Sequence, residues 1–170
     1  MIKRYENVLS FQDLQYITDF IRSPLWQWGH QSDAFNNEDK NYFWKISDLI
    51  DNEFFSDYLF GKVKELTKDN LELLKVYFNG QTGGQEGAPH IDGDNDNGRT
   101  FLIYTTDNFK IHYGGGTTFY SEDEEDSVTF PYKYNSGIYF QNNVVHGCAP
   151  ISRHFKGLRT SLAFKMHIKE

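Results

Sequence analysis

The sequence predicts a mainly β fold with helices at its N-terminal end, of the antiparallel sandwich or barrel kind. Three observations carry this expectation. Up to about residue 70 the apolar residues recur at helical spacing, and beyond it they fall into short runs divided by turn residues. Aromatic residues make up 17% of the chain, with 15 Phe and 11 Tyr, types that suit a pleated, half-buried surface. The length of 170 residues suits one domain with a real core. The expected organisation is a single domain over 1–170, with 1–70 a helical buttress with outer strands and 71–170 the β core that carries the site.

Taken in order, "LSFQDLQYITDFIRS" reads as the first helix. Ser10 suits its N-cap, and Asp13 stands three places on, where a capping box places its acidic partner. Leu14, Ile17 and Ile21 share one face, and Pro24 ends the run. "LWQWGH" alternates Trp26 and Trp28 as a short strand does. From about Asn52 to Lys68, the residues Phe55, Leu59, Lys62, Val63 and Leu66 trace a second, mostly apolar helical face. Strand-like segments then follow one another: "LELLKVYFNG", "RTFLIYTT", "GTTFYSE", "SVTFPYKY", "SGIYFQN", "NVVHGCAPI" and "GLRTSLAFKMHI". The charge run "SEDEEDS", 121–127, reads as a solvated hairpin loop, with a rim that attracts a basic substrate as the alternative.

A formal net charge of −7 sets the chain against phosphate backbones and anionic lipid surfaces, so neither nucleic acid nor membrane is expected as a partner. No apolar run approaches the ~20 residues of a membrane span. "MIKRYENVLS" lacks the apolar stretch of a secretory signal. The single cysteine, Cys148, excludes an internal disulfide framework and fits a reducing compartment. Nothing in the sequence fixes the oligomeric state.

"GAPHIDGDND", 87–96, carries the pattern that matters most. A His-x-Asp pair on a strand turns both side chains to one face, with Ile91 pointing the other way into the apolar layer. His90 and Asp92 then aim at one point, and His146, in "NNVVHGCAPI", is the natural third ligand. Two imidazoles and a carboxylate on one face of an octahedron suit iron(II) and leave positions open for oxygen and a cosubstrate. The pair alone is a short motif of low specificity. Support comes from farther along the chain. Arg159 and Ser161 alternate to one face, and a guanidinium beside a hydroxyl binds a carboxylate through parallel charge-assisted bonds. Tyr104, in "FLIYTT", adds a phenol donor from a neighbouring strand.

Five stretches in order, "YFNGQTGGQEGAPHID", "RTFLIYTTDNF", "YGGGTTFY", "IYFQNNVVHGCAPIS" and "GLRTSLAFK", resemble the iron- and 2-oxoglutarate-dependent oxygenases. The resemblance is to the prolyl-4-hydroxylase-like branch, and to short stand-alone members of the kind carried by marine bacterial viruses. It covers about residues 71–168. It implies a double-stranded β-helix, a cupin-like jelly roll, buttressed by the preceding helices. It also implies His90, Asp92 and His146 as the iron(II) ligands and Arg159 as the partner of the far carboxylate of 2-oxoglutarate. Tyr104 and Ser161 become supporting donors, and Tyr77, in "VYFNG", lines the cosubstrate or substrate pocket. Two departures stand out. "GGGTTF" has a threonine where the family has an acid, and "SRHFKG" lengthens the segment between His146 and Arg159, which leaves Arg153 and Lys156 as alternative basic partners.

The activity so implied is hydroxylation of a C–H bond with O2 and 2-oxoglutarate, releasing succinate and carbon dioxide, with ascorbate as a candidate reductant. An intact Asp92 favours hydroxylation over halogenation, which needs a small residue there. The implied substrate is a prolyl residue of a peptide or protein. A free amino acid or other small molecule is the alternative, as is a non-catalytic cupin-like metal-binding module. The expected location is the cytoplasm, a host's if the chain is viral.

Competing motifs do not hold up. An EF-hand loop counted from Asp92 needs glycine sixth and glutamate twelfth, where this chain has Asn97 and Ile103. His30, His112, His154 and His167 lack a second ligand at metal spacing and read as ordinary surface or packed histidines. Cys148 reads as a small packing residue beside the metal-bearing strand, and Trp26, Trp28 and Trp44 as core or groove aromatics. The polar stretches 29–42 and 93–99 are the candidates to close over a substrate.

Overall fold

The computed structural model describes residues 1–31, 41–123 and 125–169. Strands and α-helices follow in the order β1 (Ile2–Glu6), α1 (Phe11–Ile21), β2 (Gln27–His30), β3 (Phe43–Ile46), α2 (Phe60–Thr67), β4 (Leu71–Thr82) and β5 (Gly98–Tyr104). Then come β6 (Thr117–Tyr120), β7 (Ser127–Phe130), β8 (Ser136–Gln141), β9 (His146–Cys148) and β10 (Leu158–Ile168). The seven strand-like segments expected after residue 70 are all strands.

A seven-stranded antiparallel sheet runs β1-β8-β5-β10-β4-β3-β2, and a three-stranded sheet runs β7-β6-β9. The segment through His90 lies antiparallel to β9, tied by the bridge between His90 and His146, and so extends the small sheet by one irregular strand. This is the double-stranded β-helix. Short strands complete the large sheet at both ends, β1 on β8 at one edge and β3 on β4 followed by the edge strand β2 at the other. β6 and β7 form the hairpin expected around the acidic run, whose Glu124 lies outside the described residues.

The period-two pattern sorts the large sheet into two unlike faces. Val76, Phe78, Phe101, Ile103, Leu162 and Phe164 face the helices and form one core with Ile17, Phe55, Leu59 and Val63. Tyr104, Ile138 and Phe140 face the small sheet and pack with Phe119 and Tyr132. That second core fills only part of the space between the sheets. Elsewhere the inner face of β10 presents Arg159, Ser161, Ala163 and Lys165, and there a cavity replaces the core.

The capping box at α1 forms as the sequence anticipates. Asp13 N–H donates to Ser10 Oγ at 3.2 Å, and Ser10 N–H donates to Asp13 Oδ2 at 2.9 Å. Lys62 reaches across to the same carboxylate at 2.6 Å, joining the two helical segments. The second segment differs from a plain helix: Phe54–Leu59 is π-helical and only Phe60–Thr67 is α. Consecutive α-helical residues point about 100° apart. The wider turn lets Phe54 and Phe55 both pack on α1, against Tyr16 and Phe20.

Candidate functional site

His146 stands in β9 and His90 on the segment beside it. Their backbones exchange N–H···O bonds of 2.9 Å in both directions, which sets the two rings side by side with centroids 4.5 Å apart. The close approach needs Gly147, where a Cβ would meet the Gly87 carbonyl at 2.7 Å. Each Nδ1 lies 2.9 Å from the carbonyl two residues before it, of Ala88 and of Val144. A carbonyl only accepts, so each Nδ1 carries the proton and each Nε2 keeps its lone pair. Both Nε2 atoms face the Asp92 carboxylate, at 3.6 and 3.5 Å. One ligand atom from each of the three residues lies within 4.8 Å of the others. Two neutral imidazoles and a carboxylate so arranged fit the donor set of a 2-His-1-carboxylate iron(II) site.

Two details depart from the sequence reading. Residues 90–92 are a bridge and a bend, not a regular strand, and Asp92 is held by its N–H bond to the Asn142 carbonyl at 2.7 Å. Ile91 lines the groove beside the triad instead of an apolar layer, because the bend removes strict alternation.

The carboxylate of Asp92 has partners of its own. Thr100 Oγ donates to Oδ2 at 2.7 Å, and the Lys165 ammonium forms an ion pair with the same oxygen. This leaves Oδ1 as the oxygen nearer His90. Burial alone would raise the Asp92 pKa, but Lys165 overrides it and holds the carboxyl well below its ordinary range. Burial pushes the His146 imidazole down to about 4, so it is neutral at pH 7. Asp92 and His146 therefore present the protonation states that metal ligation requires.

The cavity runs from the triad to Arg159, which is 2% exposed. Its Nε donates to the Gly115 carbonyl at 2.9 Å, and Nη1 donates to Gln81 Oε1 at 3.0 Å and Ser161 Oγ at 3.1 Å. Gly115 sits at φ +64, the left-handed region in which glycine is unstrained. These bonds lock the planar fork in place through Nε and Nη1 and leave Nη2 outside them. Arg153 and Lys156, the alternative partners, lie exposed in the turn before β10.

Of the other residues named from sequence, Ser161 and Tyr77 line the cavity. Tyr104 is fully buried behind its wall, with its hydroxyl 2.7 Å from Thr117 Oγ and its ring centroid 5.2 Å from the Arg159 guanidinium. Cys148 also lines the cavity, and burial raises its thiol above the ordinary value. Of the two roles expected for His30, surface or packed, the structure shows the packed one. His30 stands at the cavity mouth, packed on Phe43 with centroids 5.0 Å apart and with Nε2 3.4 Å from Lys45 Nζ. Trp28, 54% exposed, pairs with Trp44 on the outer surface of β2 and β3 and is no core residue. Of the stretch 29–42, residues 32–40 lie outside the described residues.

Sequence reasoning missed Lys165, Gln81, Thr100 and Lys45. A signal for most of them existed. Counting by twos from Arg159 and Ser161 reaches Lys165, from Tyr77 reaches Gln81, and from Tyr104 reaches Thr100.

No family model and no curated protein matches the sequence. Solved structures do match. A prolyl hydroxylase from Trichoplax adhaerens, in complex with a hypoxia inducible factor oxygen degradation domain peptide fragment, aligns with a TM-score of 0.70 and 16% identity, over 98% of this chain and 83% of that one. The viral collagen prolyl hydroxylase from Paramecium Bursaria Chlorella virus-1, complexed with 2-oxoglutarate, aligns with a TM-score of 0.66 and 14% identity, over 99% of this chain and 96% of that one. The epimerase SnoN, in complex with Fe3+, alpha ketoglutarate and nogalamycin RO, aligns with a TM-score of 0.71 and 12% identity, over 98% of this chain and 78% of that one. The chain has the fold of the 2-oxoglutarate-dependent oxygenases. Among the described residues no helix is long and apolar enough to cross a membrane.

Proposed function

We propose that this protein is an Fe(II)- and 2-oxoglutarate-dependent dioxygenase that hydroxylates a C–H bond, with a prolyl residue of a peptide or protein as its substrate. One observation carries the reading: a convergent pair of imidazoles and a carboxylate at one end of a cavity whose other end holds a buried, immobilised guanidinium. In this reading His90, Asp92 and His146 hold the metal. Iron(II) with 2-oxoglutarate supplies the chemistry, in which dioxygen oxidises the C–H bond and succinate and carbon dioxide are released.

The protein's own part is binding, orientation and exclusion of water. Arg159 carries an invariant positive charge and a planar fork for the far carboxylate of the cosubstrate. Ser161 and Gln81 fix that fork, and Tyr104 supports it from below. Lys165 and Thr100 hold one oxygen of Asp92, which orients the other toward the metal position. The peptide-bound prolyl hydroxylase of the same fold supports a peptide substrate. The epimerase complex supports the second reading, a small-molecule substrate. The single cysteine supports the cytoplasm as the working compartment.

The test is anaerobic titration with iron(II) and 2-oxoglutarate, followed by an aerobic assay for succinate. Wild type should develop a visible absorption band and release succinate, and Asp92→Ala should do neither. Arg159→Lys should raise the KM for 2-oxoglutarate by about tenfold or more, equivalent to about 1.4 kcal/mol, with a smaller effect on kcat. Turnover of 2-oxoglutarate by Asp92→Ala at the normal rate would rule the assignment out.

A further inference from the structure

Beside the triad the cavity opens into a groove, and its walls carry three lysines: Lys45 from β3, Lys75 from β4 and Lys165 from β10. Among the described lining residues Asp92 is the only acid, and Lys165 is its partner. Arg99 also borders the groove, but its Nη1 is engaged with the carbonyls of Asp96 and Gly98. Lys45 and Lys75 form no ion pair among the described residues.

Lys45 is half-buried, with its ammonium 4.1 Å from the centroid of the Tyr77 ring and 3.4 Å from His30 Nε2. Burial first, then Lys75 and Lys165, lower its pKa, while Asp48 opposes them. Lys75 stands exposed at the groove's rim. Cations gathered in this way repel one another, most strongly at the half-buried Lys45, and an anion placed among them recovers that cost. The gathering is the more telling in a chain of net charge −7. Loading the site does not relieve it, because iron(II) and a 2-oxoglutarate dianion cancel in charge.

We propose that the groove binds a carboxylate of the substrate between Lys45 and Lys75, so that the bond oxidised at the triad belongs to an acid-bearing molecule. The proposal rests on the oxygenase reading of the triad. For a peptide, the carboxylate is an acidic side chain or a free C-terminus next to the target residue. For a small molecule it is the substrate's own carboxylate, as in a free amino acid.

The experiment measures succinate release by the protein loaded with iron(II) and 2-oxoglutarate. The compounds are Gly-Pro-Glu, Gly-Pro-Gln and Gly-Pro-Lys as C-terminal amides, Gly-Pro-Gln as the free acid, and free proline against prolinamide. In at least one matched set the acid-bearing member should exceed its neutral partner by about tenfold or more in kcat/KM. The double variant Lys45→Met, Lys75→Met should lose that preference through KM, and the corresponding arginine variant should retain it. Equal or better turnover of neutral or basic members overturns the proposal. Failure of every compound to stimulate release counts against the prolyl reading, and the groove is then judged by binding. The zinc- and 2-oxoglutarate-loaded protein is titrated with sodium acetate and with inorganic phosphate by NMR. Shifts around Tyr77 and Lys45 that vanish in the methionine variant support an anion site. Unshifted spectra overturn it.

Discussion

Lys165 is a largely buried cation whose only acidic partner within ion-pair distance among the described residues is Asp92, and the two depend on each other. Burial lowers the pKa of an isolated ammonium, yet that of Lys165 is raised, because Tyr77 and Asp92 outweigh desolvation. Replacing it by methionine keeps much of the volume and leaves Asp92 as an uncompensated buried carboxylate. Breaking such a pair costs about 3–5 kcal/mol. For a chain of this length that lowers the melting temperature of the metal-free protein by on the order of 10 °C. A divalent ion supplies the missing countercharge, so zinc should raise the melting temperature of Lys165→Met by more than it raises that of wild type. Equal shifts in the two proteins would show that Lys165 is not the counter-ion of the site. Lys165 also shows where reading residues stops. His90, Asp92, His146 and Arg159 stand out as candidates by chemistry, spacing and the family resemblance. A lysine in "LAFKMHI" is unremarkable until β10 is known to be buried on both faces, and only the pairing with β4 and β5 makes it so.

At the scale of elements, α1 is anchored through one carboxylate. Asp13 closes the capping box and receives Lys62 from α2. Burial alone would raise its pKa, but the bonds from Lys62 and Ser10 prevail and lower it. A carboxyl depressed in the folded state adds stability above its unfolded pKa, about 3.9, and loses it as the pH falls through the folded value. Asp13→Asn should therefore cost about 1 kcal/mol at pH 7. The difference from wild type should shrink steadily below about pH 4, measured by urea unfolding across the range. A difference that persists undiminished at about pH 3 would mean that the charge is not what holds the cap. The box was legible because it is local, four residues with a fixed role each. The π-helical turn at Phe54–Leu59 was not, since it answers to Tyr16 and Phe20 on another helix. The edge strand β1 pairs with β8, far along the chain, and both β1 and β3, five and four residues long, carry too few residues for a period to show.

At the scale of the molecule, the site occupies the place where a second apolar core would otherwise continue. Phe119, Tyr132, Ile138 and Phe140 fill one part of the inter-sheet space, while Arg159, Asp92 and Lys165 line the rest. Alternation of Arg159 and Ser161 in β10 pointed to one polar face. The order of strands, which decides that His90 reaches His146, is a long-range property no local pattern carries. A polar cavity between two sheets ties the stability of the fold to what binds there. A ligand that binds only the folded state stabilises it by about 2.7 kcal/mol at one hundred times its Kd. At roughly 2–4 °C per kcal/mol for a chain of this size, zinc or iron(II) with 2-oxoglutarate should raise the melting temperature by about 5–10 °C. The two ligands should also be coupled. If 2-oxoglutarate binds through both the metal and Arg159, its contribution without metal should be far smaller than with it, and a chelator should reverse the gain. Asp92→Ala should lose the metal-dependent part, and Arg159→Lys only the part due to 2-oxoglutarate. Stabilisation by 2-oxoglutarate that is the same with and without metal would separate the guanidinium from the triad and place the cosubstrate elsewhere.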